Sequence, residues 1–170
     1  PHEHLAFEIV KASFCFGTDP LMTLAKIHRE TDFSRMGISS GGAVGFSQMT
    51  GAGISEVQDQ MSGDNSISMP GTRDFFRMAI RCYTGNADYS AFKGDRVTVQ
   101  KALREDYRLD LIYGQILLKS YVSYTAAIGK RSMAESDSKN SYCDAFVLYN
   151  GDTHVVNGKC MGKKVQMRYE

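Results

Sequence analysis

Three polar residues at intervals of nine could carry out acid-base chemistry on a bound ligand: Glu30, Ser39 and Gln48. Glu30 ends the apolar run "PLMTLAKIHRE", and "SSGGAVGFSQMT" contains the serine and the glutamine on either side of a glycine-rich turn. Glycines there allow a backbone to turn tightly or to approach a ligand closely. Phe46 and Met49 follow, and we expect them to anchor the loop and make it rigid. The pattern predicts a carboxylate that faces a binding loop.

The position of Glu30 favours a carboxylic acid that keeps its proton, as a general acid must. Helical periodicity from Pro20 predicts a buried stripe made of Leu21, Leu24, Ala25 and Ile27 or His28. Glu30 then lies at the boundary between core and solvent, near a helix C-terminus, where the macrodipole disfavours a negative charge by about 0.3–1 kcal/mol. The alternative interpretation is a solvated glutamate at a frayed helix end.

The segment after Glu30 resembles the lysozyme-like glycosidases of bacterial cell walls, above all the soluble lytic transglycosylases. Their catalytic helix ends in Glu-Ser-x-Phe, and "ETDF" stands at that place here with threonine for serine. Their motif G-A-x-G-L-x-Q is similar to "GAVGFSQ". The resemblance implies a lysozyme-like fold in which Glu30 is catalytic and Ser39, Gln48 and Met49 contact the substrate.

Two later segments agree with this resemblance. "LDLIYGQILLKSYV" is similar to the family helix N-I-x-x-G-x-x-Y-L, with Asp110 in place of Asn, and "AFVLYNGDTH" is similar to A-x-A-A-Y-N-A-G-P-G. The resemblance therefore implies that Tyr149 is a catalytic residue that hydrogen-bonds Glu30 and that Asn150 binds substrate. The alternative for Tyr149 is a core aromatic side chain.

The function implied by the resemblance is cleavage of β-1,4 bonds between N-acetylmuramic acid and N-acetylglucosamine in peptidoglycan, without a cofactor or a metal. The sequence shows no obvious second carboxylate near Glu30, which favours attack by the substrate's own N-acetyl group over a carboxylate pair with Asp110 or Asp144. Hydrolysis would make the protein a lysozyme, and capture by the sugar's 6-hydroxyl would make it a lytic transglycosylase. The alternative is a non-catalytic domain that binds peptidoglycan or a protein partner.

The remaining chain predicts one mainly α-helical domain over residues 1–170, with about seven short helices. Asp19 before Pro20 and Thr72 before an apolar run are typical of helix starts. Residues 51–105 exceed the usual family connection, so we expect a helical insertion there, either structural or an added wall of a glycan groove. Its part from Thr72 to Tyr83 is predicted to be a helix that turns Phe75, Phe76, Ala79 and Ile80 inward.

Composition excludes several other classes. The 170 residues carry a net charge of +1 with scattered lysines and arginines, which argues against nucleic-acid binding. No apolar run reaches the ~20 residues needed to span a membrane. The four histidines lack the spacing of metal ligands, so no metal site is expected. We expect a monomer whose partner is the glycan strand.

Cysteine usage bears on the compartment. Two disulfides in any of three pairings, or four reduced thiols, fit the four cysteines, which are Cys15, Cys82, Cys143 and Cys160. A peptidoglycan substrate implies a periplasmic or secreted protein, and that location favours disulfides. The first residues, "PHEHLAFE", lack the pattern of a signal peptide, so we expect that any signal has been removed.

Overall fold

The computed structural model describes residues 2–34, 38–63 and 72–128, and these residues are mainly helical, as predicted. The chain divides into two compact units, residues 1–117 and 118–170, and α6 crosses the boundary. Beside one short 3-10 helix at Ser90–Phe92, the α-helices are α1 (His2–Phe16), α2 (Pro20–Thr31), α3 (Gly51–Ser62), α4 (Thr72–Thr84), α5 (Arg96–Glu105) and α6 (Tyr107–Ile128).

Local capping chemistry places the helix starts. The carboxylate of Asp19 accepts a hydrogen bond from the Leu21 N–H at 2.8 Å, and Pro20 occupies the first helical position, as the sequence predicts. Thr50 caps α3 in the same way, with its hydroxyl accepting from the Gly53 N–H. Helix α4 begins at Thr72, the predicted position.

The apolar core of the first unit is built around α6. Residues 110–117 are buried on every side of that helix, which is typical of a central helix. Helix α4 turns Phe76, Ala79 and Ile80 inward as predicted, whereas Phe75 is only half-buried. The segment predicted to be an insertion, residues 51–105, thus contributes helices to the core.

A disulfide between Cys15 and Cys82 joins α1 to α4. It is one of the pairings that the cysteine count left open, and Cys143 and Cys160 lie outside the described residues. The rings of Phe16 and Phe76 lie beside it, with centroids 6.5 Å apart. The bridge and the ring contact favour a structural role for α4.

The buried face of α2 differs from the predicted apolar stripe. Leu21 is 70% exposed and Leu24 is 37% exposed, whereas Thr23 and Lys26 are buried together with Ile27. The prediction is therefore wrong for both leucines and right for Ile27.

Polar partners on α1 and α6 explain why α2 turns a polar face inward. The hydroxyl of Thr23 accepts hydrogen bonds from Ser13 Oγ at 3.2 Å and from Gln115 Nε2 at 3.0 Å. The apolar-stripe rule assumes an apolar surface opposite the helix, and that assumption fails here. Residues 23, 26, 27 and 30 follow the i, i+3, i+4, i+7 spacing of one helix face, so Glu30 lies at the end of the inward face.

In the described ranges, no helix combines the length and the apolar character that crossing a bilayer requires.

We predict that the double substitution Cys15→Ala and Cys82→Ala lowers the free energy of unfolding by about 2–4 kcal/mol, because the bridge closes a long loop in the unfolded chain. The bridge joins residues 67 positions apart. Urea denaturation of the oxidised wild type and of the double variant measures the difference. Equal midpoints and slopes for the two proteins would contradict a stabilising bridge.

Candidate functional site

The loop that carries Gln48 is a tight turn. Val44 and Met49 exchange backbone hydrogen bonds of 3.1 and 2.8 Å, and Gln48 donates to the Gly45 carbonyl through both its backbone N–H and its side-chain Nε2. Phe46 and Met49 are buried, so the expectation that they anchor this loop in the core is confirmed. The turn therefore presents Gln48 from a rigid backbone.

Asp110 of α6 holds this turn in place. Its Oδ2 accepts the Ser47 N–H at 3.2 Å, and its backbone carbonyl accepts the Ser47 hydroxyl at 3.1 Å. A Cβ on Gly45 would lie 2.6 Å from the Asp110 Cγ, and a Cβ on Gly114 would lie 3.0 Å from the Ser47 Cβ. These two glycines therefore serve the contact between the loop and α6.

Lys26 lies at the same junction, although nothing in the sequence analysis assigned it a role. Its side chain is 5% exposed, and its Nζ donates to the Ser47 carbonyl at 3.3 Å. Burial lowers the pKa of Lys26 to about 8, while the carboxylates of Glu30 and Asp110 act in the opposite direction. The available signal was its position four residues before Glu30, which puts both side chains on one face of α2.

Glu30 is half-buried in the last turn of α2. The end of this helix packs against the loop through one apolar cluster, in which Ile27 of α2 and Phe46 of the loop meet Leu111 of α6. Phe33, which follows the helix, packs on the same cluster. The fold therefore brings together the two elements that carry Glu30 and Gln48.

Backbone strain flanks the candidate site on both elements. Among the described residues, the non-glycine residues with positive φ are Asp32 at 47°, Phe33 at 61° and Gln48 at 47°. This conformation costs a residue with a side chain about 1 kcal/mol or more, and such residues concentrate at functional sites. Asp32 is the left-handed C-cap of α2, which is a common way for a helix to end, so the strain favours a functional role chiefly for the turn at Gln48.

The structure gives less support to the other predicted site residues. Ser39 is exposed, and its hydroxyl accepts the Ala43 N–H at 3.0 Å, so it shapes the start of the loop. The Met49 side chain is 0% exposed, and its predicted contact with substrate stays a prediction. Tyr149 and Asn150 lie outside the described residues.

A cavity of about 350 Å³ lies elsewhere in the first unit, lined in part by Glu8, Lys11, Tyr83 and Arg108. Glu8 is buried and accepts hydrogen bonds from the Tyr83 hydroxyl at 2.7 Å and from Arg108 Nη2 at 2.9 Å. Burial and the hydrogen bond to Glu8 raise the pKa of Tyr83 above its ordinary value. These contacts join α1, α4 and α6, and no sequence motif indicated them.

No three His, Cys, Asp or Glu side chains converge on a position suited to a metal ion in the part of the chain that the structure describes.

Comparisons with protein-family models, with curated proteins and with solved structures find no match to this chain. Functional inference therefore depends on the residues of this chain and on their geometry.

We predict that Gly45→Ala destabilises the protein by roughly 1–3 kcal/mol more than Gly42→Ala, because only the first substitution forces a methyl group against Asp110. Both glycines have φ of +75°, so the backbone penalty of about 1 kcal/mol is shared. No atom lies within 4 Å of a Cβ built on Gly42, which makes it the matched control. Chemical denaturation measures both variants, and equal losses would show that Asp110 does not require the glycine.

Proposed function

We propose that this protein cleaves the β-1,4 bond between N-acetylmuramic acid and N-acetylglucosamine in peptidoglycan, with Glu30 as general acid and then general base. The observation that carries the proposal is the placement of Glu30 on the inward polar face of α2, whose end packs through one apolar cluster against the rigid turn bearing Gln48. The motif resemblance supplies the substrate class.

The reaction proceeds in two steps. Glu30 gives its proton to the glycosidic oxygen, the bond from that oxygen to the anomeric carbon breaks, and the acetamido oxygen of the same sugar bonds to that carbon. Water or the sugar's own 6-hydroxyl then attacks the anomeric carbon, displaces the acetamido oxygen and gives its proton to Glu30. Water yields a reducing sugar, and the 6-hydroxyl yields a 1,6-anhydro sugar.

The environment of Asp110 supports a mechanism with a single catalytic carboxylate. Asp110 is fully buried and binds the backbone of the loop, so it holds the turn in place and does not face a substrate groove. The other candidate for a second carboxylate, Asp144, lies outside the described residues. Substrate assistance by the N-acetyl group is therefore the favoured route.

The remaining roles belong to this proposal as well. Gln48 and Ser39 orient the glycan or its acetamido group, Met49 and Asn150 contribute to the same subsite, and Tyr149 hydrogen-bonds Glu30 to fix its rotamer. The fold is then lysozyme-like with a helical insertion, and the protein works as a monomer outside the cytoplasm. The Cys15–Cys82 disulfide supports that location, because disulfides persist in oxidising compartments.

We predict that Glu30→Gln keeps its fold and loses lysis of purified peptidoglycan by at least about 100-fold, because an amide cannot donate the proton that the leaving oxygen needs. Asp32→Asn is the matched control. Asp32 lies two residues further on with an 85% exposed side chain, and asparagine tolerates its left-handed φ. Turbidity loss measures the rate, and circular dichroism measures the fold.

Three outcomes separate the possible functions. Lysis by the wild type and by Asp32→Asn, but not by Glu30→Gln, supports the proposal. A folded Glu30→Gln protein that still clears peptidoglycan would overturn the role of Glu30. A wild-type protein that sediments with cell walls and releases no fragments would identify a binding domain. Mass analysis of released fragments separates the two products, because an anhydro sugar is one water lighter than a reducing sugar.

A further inference from the structure

Burying the ammonium of Lys26 costs free energy unless neighbouring groups stabilise its charge. Removing a charged group from water carries a large penalty that only paired charges and hydrogen bonds offset. An apolar residue at this position would fill the same helix face without that penalty. The charge itself therefore calls for an explanation.

Three elements meet at this ammonium. The Ser47 carbonyl of the loop accepts its hydrogen bond at 3.3 Å, Asp110 of α6 accepts the N–H of the same Ser47, and Glu30 lies one turn further along the same face of α2. The two carboxylates are the charged groups whose fields act on Lys26. Two acidic groups thus share one cation.

The net charge of Lys26, Asp110 and Glu30 together depends on whether Glu30 holds its proton. While Glu30 holds its proton, Asp110 and Lys26 balance each other. Once Glu30 has given its proton away, the group carries one excess negative charge, and Lys26 is the cation next to it on the same helix face. Charges interact more strongly in a partly buried site than in water, so this difference bears on the reaction.

We propose that Lys26 is a positioning residue for Glu30. The Lys26 ammonium offsets the negative charge that Glu30 acquires when it protonates the leaving oxygen. This inference rests on the proposed acid-base role of Glu30. The Ser47 carbonyl holds the ammonium before the reaction begins, and Asp110 holds Ser47 through the Ser47 N–H, so little reorganisation is needed as the charge develops.

The first test measures the coupling without any substrate. Nitrogen-15 NMR of the lysine amino groups follows the titration of Lys26 in the wild type, in Glu30→Gln and in Asp32→Asn. Because the Glu30 carboxylate favours the charged form of Lys26, Glu30→Gln is expected to lower the pKa of Lys26 by roughly 0.5–2 units. Asp32→Asn is expected to leave it unchanged. Titration of Lys26 at one pH in all three proteins would overturn the proposal.

The second test measures peptidoglycan lysis by Lys26→Met and Lys26→Gln. At acidic pH, where Glu30 holds its proton in both proteins, we expect the maximal rate to fall roughly 10- to 100-fold with KM little changed, because the lost interaction forms as charge develops on Glu30. Lys101→Met is the control, since Lys101 is exposed on α5 and pairs only loosely with Glu105 at 4.0 Å.

The pH profile separates a charge effect from loss of structure. The ratio of wild-type to Lys26→Met rates is expected to be largest at acidic pH, where Glu30 holds its proton in both proteins, and to approach one above pH 8, because the wild type then loses its own ammonium. A constant ratio at every pH, or unchanged turnover in the folded variants, would overturn the proposal. If Lys26→Met and Lys26→Gln do not fold, the titration of Lys26 in the wild type and in Glu30→Gln still tests whether the two residues are coupled.

Failure of this proposal is distinguishable from failure of the proposed function. A wild-type protein without lytic activity refutes the glycosidase function, whatever the titrations show. Lysis that depends on Glu30 but not on Lys26 refutes only the role of Lys26.

Discussion

The contact between Asp110 and the backbone of Ser47 is the constraint on which the site depends. A carboxylate buried in a central helix must receive hydrogen bonds and a compensating charge, because an isolated buried anion is strongly disfavoured. The loop supplies the N–H group, and Lys26 supplies the charge. The approach is possible because Gly45 and Gly114 have no side chain at the interface.

This constraint explains the unusual amphipathic character of α2. The helix turns Lys26 and Thr23 inward and leaves Leu21 exposed, since its partners on α1 and α6 are polar. Replacing a buried charged cluster by apolar residues often stabilises a protein, so stability alone does not explain this cluster. Here the cluster lies beside Glu30, and it provides an electrostatic environment that an apolar interface would lack.

The interface between α1 and α4 contains an aromatic contact and a disulfide bond. Helix α4 packs on α1 beside the Cys15–Cys82 bridge, and Phe76 contacts Phe16 in the same interface. Loops held against such a rigid framework can keep strained backbone conformations, as Gln48 does. The polar cluster thus positions charged groups beside Glu30, and the disulfide-linked interface joins α1 to α4 in the same unit.

Four features could be predicted from the order of residues alone: the helical class, the start of α2 after Asp19, the start of α4 at Thr72 and the buried anchors Phe46 and Met49. These features arise from signals within a few residues: a cap, a proline, a helical period, an apolar side chain in a glycine-rich turn. Three features required the three-dimensional arrangement: which face of α2 is buried, which cysteine pairs with Cys15, and that the buried Lys26 lies near Asp110. Those outcomes depend on groups 63 to 92 positions away in sequence, such as Asp110 opposite the loop, Cys82 opposite α1 and Gln115 opposite α2. Helical periodicity shows which residues of α2 share a face, but it does not show what packs against that face. Because the surface opposite α2 is polar, the helix buries its polar face and exposes its leucines.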